Sequence, residues 1–310
     1  MSASRNEFDR EEKIGLLKSL IEDEDAFSDH QTIYQGYLSD PDPEVRGLAV
    51  EGLWDYPDPA LIDTLLAIAS QDPDQQVRNR AIMTLGRYVY EGEMADYDFN
   101  WGPLEEIVRE DELPQASYRR VVTFLLDIAG NASAPLDAQR YAIESLAFSS
   151  EPEIVDLIEQ AYHSPHLKMK VSALFAMGRS GMTRWQSYVL DELNSPDPQL
   201  QYEAVRAAGE LFLDEAVPTL LHLARSAADQ DLRHEAIWAL GHSSSLEAWQ
   251  LLEDIANDAS EDEETRVIAE DALDEYYMFQ EMSEADDELF EDDEIFDEGE
   301  EDPGNGRYPG

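Results

Sequence analysis

Six histidines and no cysteine bound the chemistry open to this chain of 310 residues. The missing thiols remove disulfides, thiolate metal sites and a cysteine nucleophile together. His234-Glu235, in "LRHEAIWALGH", joins an imidazole to a carboxylate, the ligand types used by oxygen-activating iron. One such pair supplies too few ligands for a metal centre. His163 and His166, in "YHSPH", have a possible two-ligand spacing, but Pro165 breaks the helix between them and no third ligand lies nearby. Structural zinc takes four ligands, so a surface turn is the better reading. His222, His234 and His242 fall close together in the C-terminal third, where lone histidines on packed helices are usually just hydrogen-bonded. Carboxylate pairs carry no information among 70 acidic residues. No phosphate-binding glycine loop, G-x-S-x-G elbow or H-E-x-x-H is present. The expectation is no catalytic residue, no cofactor and no metal.

What the chain does carry is a repeated phrase. "DPDPEVRGLAVEGL" starts at Asp40, "DPDQQVRNRAIMTLG" at Asp72 and "SPDPQLQYEAVRAAG" at Ser195. The shared pattern is an apolar residue, a basic one, an alanine three positions on, then an apolar residue and glycine. Arg46, Arg78, Lys170, Arg233 and Arg266 hold the basic position, with Gln201 in register, at a period of 31 to 33 residues between neighbours. Asp42 and Asp197 are good N-caps, each followed by proline at the first helical position. The alanine permits close helix approach. Gly86, Gly178, Gly209 and Gly241 suit left-handed C-caps. A second amphipathic segment follows, as in "DPALIDTLLAIAS", "EPEIVDLIEQAYH", "DEAVPTLLHLARS" and "SLEAWQLLEDIAN". The unit is helix A, turn, helix B, turn. One pair cannot bury its own apolar face, whereas stacked pairs share a core.

This pattern resembles HEAT repeats, in particular the short HEAT-like class of bilin lyase subunits, over residues 12–277. Period and length fit an all-α fold, a right-handed α-solenoid of about eight helical pairs. In the family the basic position resembles an arginine that pairs with an acid of the neighbouring turn; Asp42, Asp74, Asp197 and Asp229 are the expected partners. His234-Glu235 is similar to the His-Glu dipeptides of deoxyhypusine hydroxylase, in which several pairs converge on iron. The equivalents here are Gly47-Leu48, Asn79-Arg80, Val171-Ser172, Tyr202-Glu203 and Val267-Ile268. The resemblance therefore stops at the fold.

Three regions depart from the period. Residues 1–40 form an atypical N-terminal cap to the solenoid of residues 1–277. Residues 89–130 read as an aromatic insertion, starting "VYEGEMADYDFNWGP", and a degenerate repeat. Residues 278–310 read as a disordered acidic tail, with fourteen carboxylates and no cation between 281 and 302. Tyr97, Phe99 and Trp101 in the insertion, Trp185, Tyr188 and Trp249 on B helices, and Phe290 and Phe296 in the tail are the candidate partner-binding residues. The resemblance places the B helices on the concave, partner-binding face. Packing between B helices is the competing role for Trp185, Tyr188 and Trp249.

The net charge of −49 repels nucleic acid and anionic membrane surfaces. It favours protein partners with a basic surface. No apolar signal core or bilayer-length run appears, so a cytoplasmic location is expected. The reading that follows is a non-enzymatic interaction scaffold. The alternative, implied by the resemblance, is a bilin lyase-like subunit or chaperone handling a chromophore or apoprotein.

Overall fold

The computed structural model describes residues 9–23, 30–97 and 113–293, with side chains left undescribed at 95–97 and 279–293. Among the described residues there are fifteen α-helices and no strands. The A helices are α1 (Arg10–Ile21), α3 (Pro43–Glu51), α5 (Gln75–Tyr97), α7 (Leu136–Ser145), α9 (Leu167–Arg179), α11 (Pro198–Glu210), α13 (Gln230–Gly241) and α15 (Glu263–Asp293). The B helices are α2 (Gln31–Tyr37), α4 (Ile62–Gln71), α6 (Gln115–Ala129), α8 (Pro152–Tyr162), α10 (Gln186–Glu192), α12 (Val217–Ser226) and α14 (Leu246–Asn257). The fold is an all-α solenoid of HEAT-like pairs. It divides into two compact units, Met1–Ala207 and Ala208–Gly310.

In the first unit α1, α3, α5, α7 and α9 pack in succession, with α2, α4, α6 and α8 against them. In the second unit α13 packs against α12, α14 and α15, and α14 lies along α15. The core is built from one register. The repeat alanines Ala49, Ala81, Ala142, Ala173, Ala204, Ala236 and Ala269 are all fully buried. Caps form at Asp42 and Asp197 as the sequence indicates, and at Asp74 as well. Asp42 accepts from the amides of Glu44 and Val45, Asp74 from those of Gln76 and Val77, and Asp197 from those of Gln199 and Leu200. Each satisfies donors that the first helical turn leaves without a partner.

The repeat glycines are not C-caps. Gly86, Gly178, Gly209 and Gly241 all lie inside helices with negative φ. The left-handed residues come three positions later, at Gly181 (φ 63°) and Phe212 (φ 53°). The glycines serve close packing instead. A Cβ on Gly86 would lie 2.9 Å from the Cβ of Ser145 on α7, and one on Gly241 would lie 2.6 Å from the carbonyl oxygen of Ala272 on α15. Gly209 meets Ala239 of α13 in the same way, at 3.0 Å. Ser145, Ala239 and Ala272 occupy one register, three residues after their repeat alanines, so small faces small at each of these crossings. Where that position carries a hydroxyl, the hydroxyl donates to the preceding A helix: Thr84 Oγ1 to the Val50 carbonyl at 3.1 Å and Ser145 Oγ to the Ile82 carbonyl at 3.0 Å.

Residues 89–97 are not a loop. They extend α5, and α7 packs directly along α5 with α6 beside both. Among the described residues no further helix pair separates α5 from α7, and α6 stands as the B helix after α5; residues 98–112 of the expected degenerate repeat lie outside the described residues. Val89 is fully buried and Glu93 nearly so, which explains why the helix continues despite its polar sequence. Glu93 accepts from the Ser150 amide at 2.9 Å and from the Tyr118 hydroxyl. One carboxylate thereby joins α5, α6 and the α7–α8 turn. At the other end, α15 runs on to Asp293, past Met278, where the sequence begins to read as tail.

Candidate interaction surface

The basic position of the repeat forms a structural ladder at three of its five cations, with different acids from those expected, while Arg78 donates instead to the Asp72 carbonyl and to Gln75 Oε1. Arg46 makes a bidentate pair with Asp72, both bonds 2.8 Å, and donates to the Asp40 carbonyl at 2.8 Å. Arg233 makes a bidentate pair with Glu261 at 2.9 and 2.6 Å and donates to the Ala224 carbonyl at 2.8 Å. Lys13 bonds Asp40 at 2.6 Å and Lys170 bonds Glu192 at 2.6 Å. The answering acid ends helix B or lies in the turn after it. Asp42, Asp74, Asp197 and Asp229 are occupied as N-caps. Where the repeat has glutamine, no acid is needed: Gln139 donates to the Ala134 carbonyl and Gln201 to the Leu193 carbonyl.

The electrostatics follow from these contacts. Burial pushes the carboxyls of Asp72 and Glu192 up, and this is outweighed by hydrogen bonds from Arg46 in one case and from Lys170 and Tyr162 in the other. Both end below their ordinary values. Glu261 is lowered chiefly by its hydrogen bonds from Arg233. Glu144 is the exception. Burial pushes it above the ordinary carboxylate value, against a hydrogen bond from Ser172 and the charge of Arg140.

The candidate aromatics separate into three groups. Trp185 is fully buried, with Nε1 donating to Ser180 Oγ at 3.1 Å, so it packs the core of the first unit and offers no surface. Tyr188 is half-buried. Its ring meets Tyr162 edge-on with centroids 4.9 Å apart, and its hydroxyl donates to Glu159 at 2.8 Å. Tyr162 donates to Glu192 at 2.8 Å and lies under Lys170, whose Nζ is 4.6 Å from the ring centroid. This network ties α8 and α10 to the ladder and is packing in character. Trp249 is half-buried on α14, and its Nε1 donates to the Tyr277 hydroxyl of α15 at 3.0 Å. Tyr277, Met278 and Leu246 around it are 48%, 52% and 63% exposed. This apolar patch at the end of the second unit includes three residues that the sequence reading missed. The available signal was positional, since α15 is an A helix with no B helix after it among the described residues. Tyr97 ends α5 and Phe290 lies in α15, with side chains outside the described residues, as are Phe99, Trp101 and Phe296 altogether.

The histidines serve local roles. His234 Nε2 lies 2.9 Å from Thr265 Oγ1, which in turn donates to the cap Asp262 at 2.8 Å. His163 packs edge-on against Tyr188. Among the described residues no three His, Asp or Glu side chains cluster as metal ligands. No described helix is long and apolar enough to cross a membrane.

Helices paired in this register define an α-solenoid built for stacking. The chain belongs to the HEAT repeats family: the family model matches residues 31–98 and 187–274, together half of the chain. No curated protein matches it in sequence. Among solved structures, yeast importin-β (Kap95p) is similar at 14% identity, with 88% of this chain and 39% of that chain covered and a TM-score of 0.50. The complex of CpcE and CpcF of phycocyanin lyase from Nostoc sp. PCC7120 is similar at 16% identity, covering 88% of this chain and 100% of that one, with a TM-score of 0.48. Human deoxyhypusine hydroxylase is similar at 22% identity over 88% of this chain and 82% of that chain, with a TM-score of 0.28. At such identities the importin likeness is one of fold, and the two lower scores support no argument.

Proposed function

We propose that the protein is a non-enzymatic scaffold that binds a protein partner with a basic surface. The carrying observation is how the repeat uses its residues. Most recurring positions are consumed by packing: alanines and glycines at helix crossings, and Arg46, Lys170 and Arg233 in the ladder. What remains exposed differs from repeat to repeat and is dominated by carboxylates, 70 against 21 basic residues in the chain. A surface of that sign steers cationic partners and releases them as salt screens the field. The segment 281–302 adds fourteen carboxylates, with Leu289, Phe290, Ile295 and Phe296 spaced among them. Acidic segments with interspersed apolar residues suit a basic, partly apolar groove. A chromophore-handling role rests on the family resemblance alone.

Truncation after Met278 tests the reading. The truncated chain should keep its helical circular dichroism and melt within a few degrees of the full chain. Capture of partner proteins, identified by crosslinking and mass spectrometry, should weaken and become less sensitive to salt. Phe290→Ser with Phe296→Ser, at unchanged charge, should weaken capture further than charge alone explains. Full capture by both variants at every salt concentration would remove the segment from the binding surface.

A further inference from the structure

Each ladder cation described above is answered by a carboxylate that the following B helix delivers: Asp40 for Lys13, Asp72 for Arg46, Glu192 for Lys170 and Glu261 for Arg233. Arg266 on α15 stands in the same register. It makes no ion pair among the described residues, and its Nε is buried without an acceptor. No B helix follows α15 among the described residues. Its backbone instead runs on as helix to Asp293, so at a rise of about 1.5 Å per residue the acids from Glu288 to Asp293 lie more than about 30 Å from Arg266 along the axis.

Arg266, Glu270, Leu273 and Tyr277 are spaced by four, three and four residues, which places them on one face of α15. In earlier A helices the two middle positions are buried and apolar: Ile82 and Leu85, Ile143 and Leu146, Leu174 and Met177, Ile237 and Leu240. On α15 Glu270 is exposed, Leu273 half-buried and Tyr277 exposed. Trp249 adjoins the stripe through its bond to Tyr277, and exposed Leu246 and Met278 widen the patch. Asp271 and Asp274 flank it, both exposed. Among the described residues the second unit therefore ends in half a repeat: an unanswered guanidinium at one end, Glu270 beside it, an apolar strip beyond, and carboxylates along the edges.

We infer that this half-repeat is the docking surface for a helix from another protein, which takes the place of the missing B helix. The inference rests on the scaffold reading and names its surface and partner chemistry. The apolar strip calls for an amphipathic helix. Glu270, Asp271 and Asp274 call for lysine or arginine on its flanks. Arg266 calls for one carboxylate near the helix end, since a guanidinium with a buried nitrogen loses free energy while that donor is unmet. A second copy of this chain is disfavoured because each copy carries a net charge of −49.

The probe is a synthetic peptide copying residues 245–263, which contains α14 and Glu261, with Glu247, Glu253 and Asp254 changed to lysine. A second peptide also carries Glu261→Gln, and a third is scrambled. Titration calorimetry on the full chain should show the first peptide binding about tenfold tighter than the second, the scale of one hydrogen bond to a charged group. Arg266→Gln in the protein should abolish that difference, Tyr277→Ser should weaken both peptides, and Arg225→Gln should change neither. The two peptides alone test the contact if Arg266→Gln fails to fold. Equal binding of both peptides, or unchanged binding to Arg266→Gln, overturns the assignment. Failure of every peptide while salt-sensitive capture of basic proteins persists removes this surface and leaves the scaffold reading standing. A dimer in sedimentation velocity that Arg266→Gln dissolves would give the site to a second copy instead.

Discussion

A methyl group added at Gly241 would lie 2.6 Å from the Ala272 carbonyl oxygen and 3.0 Å from its Cα. Those are backbone atoms, so only movement of α13 against α15 relieves the clash. Overpacking of this kind costs about 1–3 kcal/mol, against a helix-propensity gain from Gly→Ala of at most about 1 kcal/mol. Gly241→Ala should therefore destabilise the protein by about 1–2 kcal/mol in urea unfolding. Gly15, exposed in the middle of α1, has nothing within 4 Å of its Cβ position. There propensity acts alone, and Gly15→Ala should stabilise α1 by about 0.5–1 kcal/mol, seen as slower amide exchange in that helix. Opposite signs for one substitution type separate a packing glycine from a tolerated one. Equal signs at the two sites would mean that the α13–α15 crossing is looser than its geometry indicates.

At the scale of elements, the extension of α5 depends on a single buried carboxylate. Glu93 is 9% exposed and serves a backbone amide and a tyrosine hydroxyl from two other segments. Burial, then the hydrogen bond to Glu93, pushes the Tyr118 hydroxyl well above its ordinary value. Glu93→Ala leaves the Ser150 amide and the Tyr118 hydroxyl without an acceptor. It should cost about 2–3 kcal/mol, whereas Glu93→Gln, which keeps an acceptor oxygen, should cost about 1 kcal/mol. Hydrogen exchange should show the loss concentrated in α6 and the C-terminal part of α5. A loss spread evenly over the first unit would contradict the role of Glu93 as a local tie.

For the whole molecule, charge sets the pH of greatest stability. Asp72 and Glu261 titrate below their ordinary values of 3.8 and 4.5. Between the lowered and the ordinary value the folded state binds fewer protons than the unfolded one, so stability rises with pH there. The ladder contribution is complete above about 4.5 and is lost as pH falls through the lowered values. Glu144 has the opposite sign. Its raised value means the folded state holds a proton that the unfolded state has released, so its contribution falls as pH rises above 4.5. Self-repulsion at a net charge of −49 acts in the same direction. Thermal midpoints should therefore peak at mildly acidic pH, between about 4.5 and neutrality, and 0.5 M salt should flatten the neutral limb more than the acid limb. A midpoint that climbs steadily to pH 8 at low salt would show self-repulsion to be negligible.

The sequence by itself determined the family, the A/B helix alternation, the caps at Asp42 and Asp197 and the buried alanine register. Each is a local or periodic property: side-chain oxygens reach amides two or three residues on, and a repeating pattern can bury its face only by stacking. It also left Trp185 open between surface and core. Tertiary structure decided what depends on neighbours far along the chain. Gly86 and Gly241 look like helix ends in sequence, because a cap and a close crossing both select glycine; only the position of Ser145 or Ala272 tells them apart. The partner of Arg46 is Asp72 and not Asp42, since the turn after helix B brings Asp72 within 2.8 Å, while Asp42 caps α3 and pairs with Arg10 of the preceding A helix. Residues 89–97 read as loop because a buried Glu93 has no local partner, and its partners arrive from Tyr118 and Ser150. The exposed stripe on α15 is likewise a fact of stacking: the same register that is core in α13 becomes surface where, among the described residues, no further helix covers it.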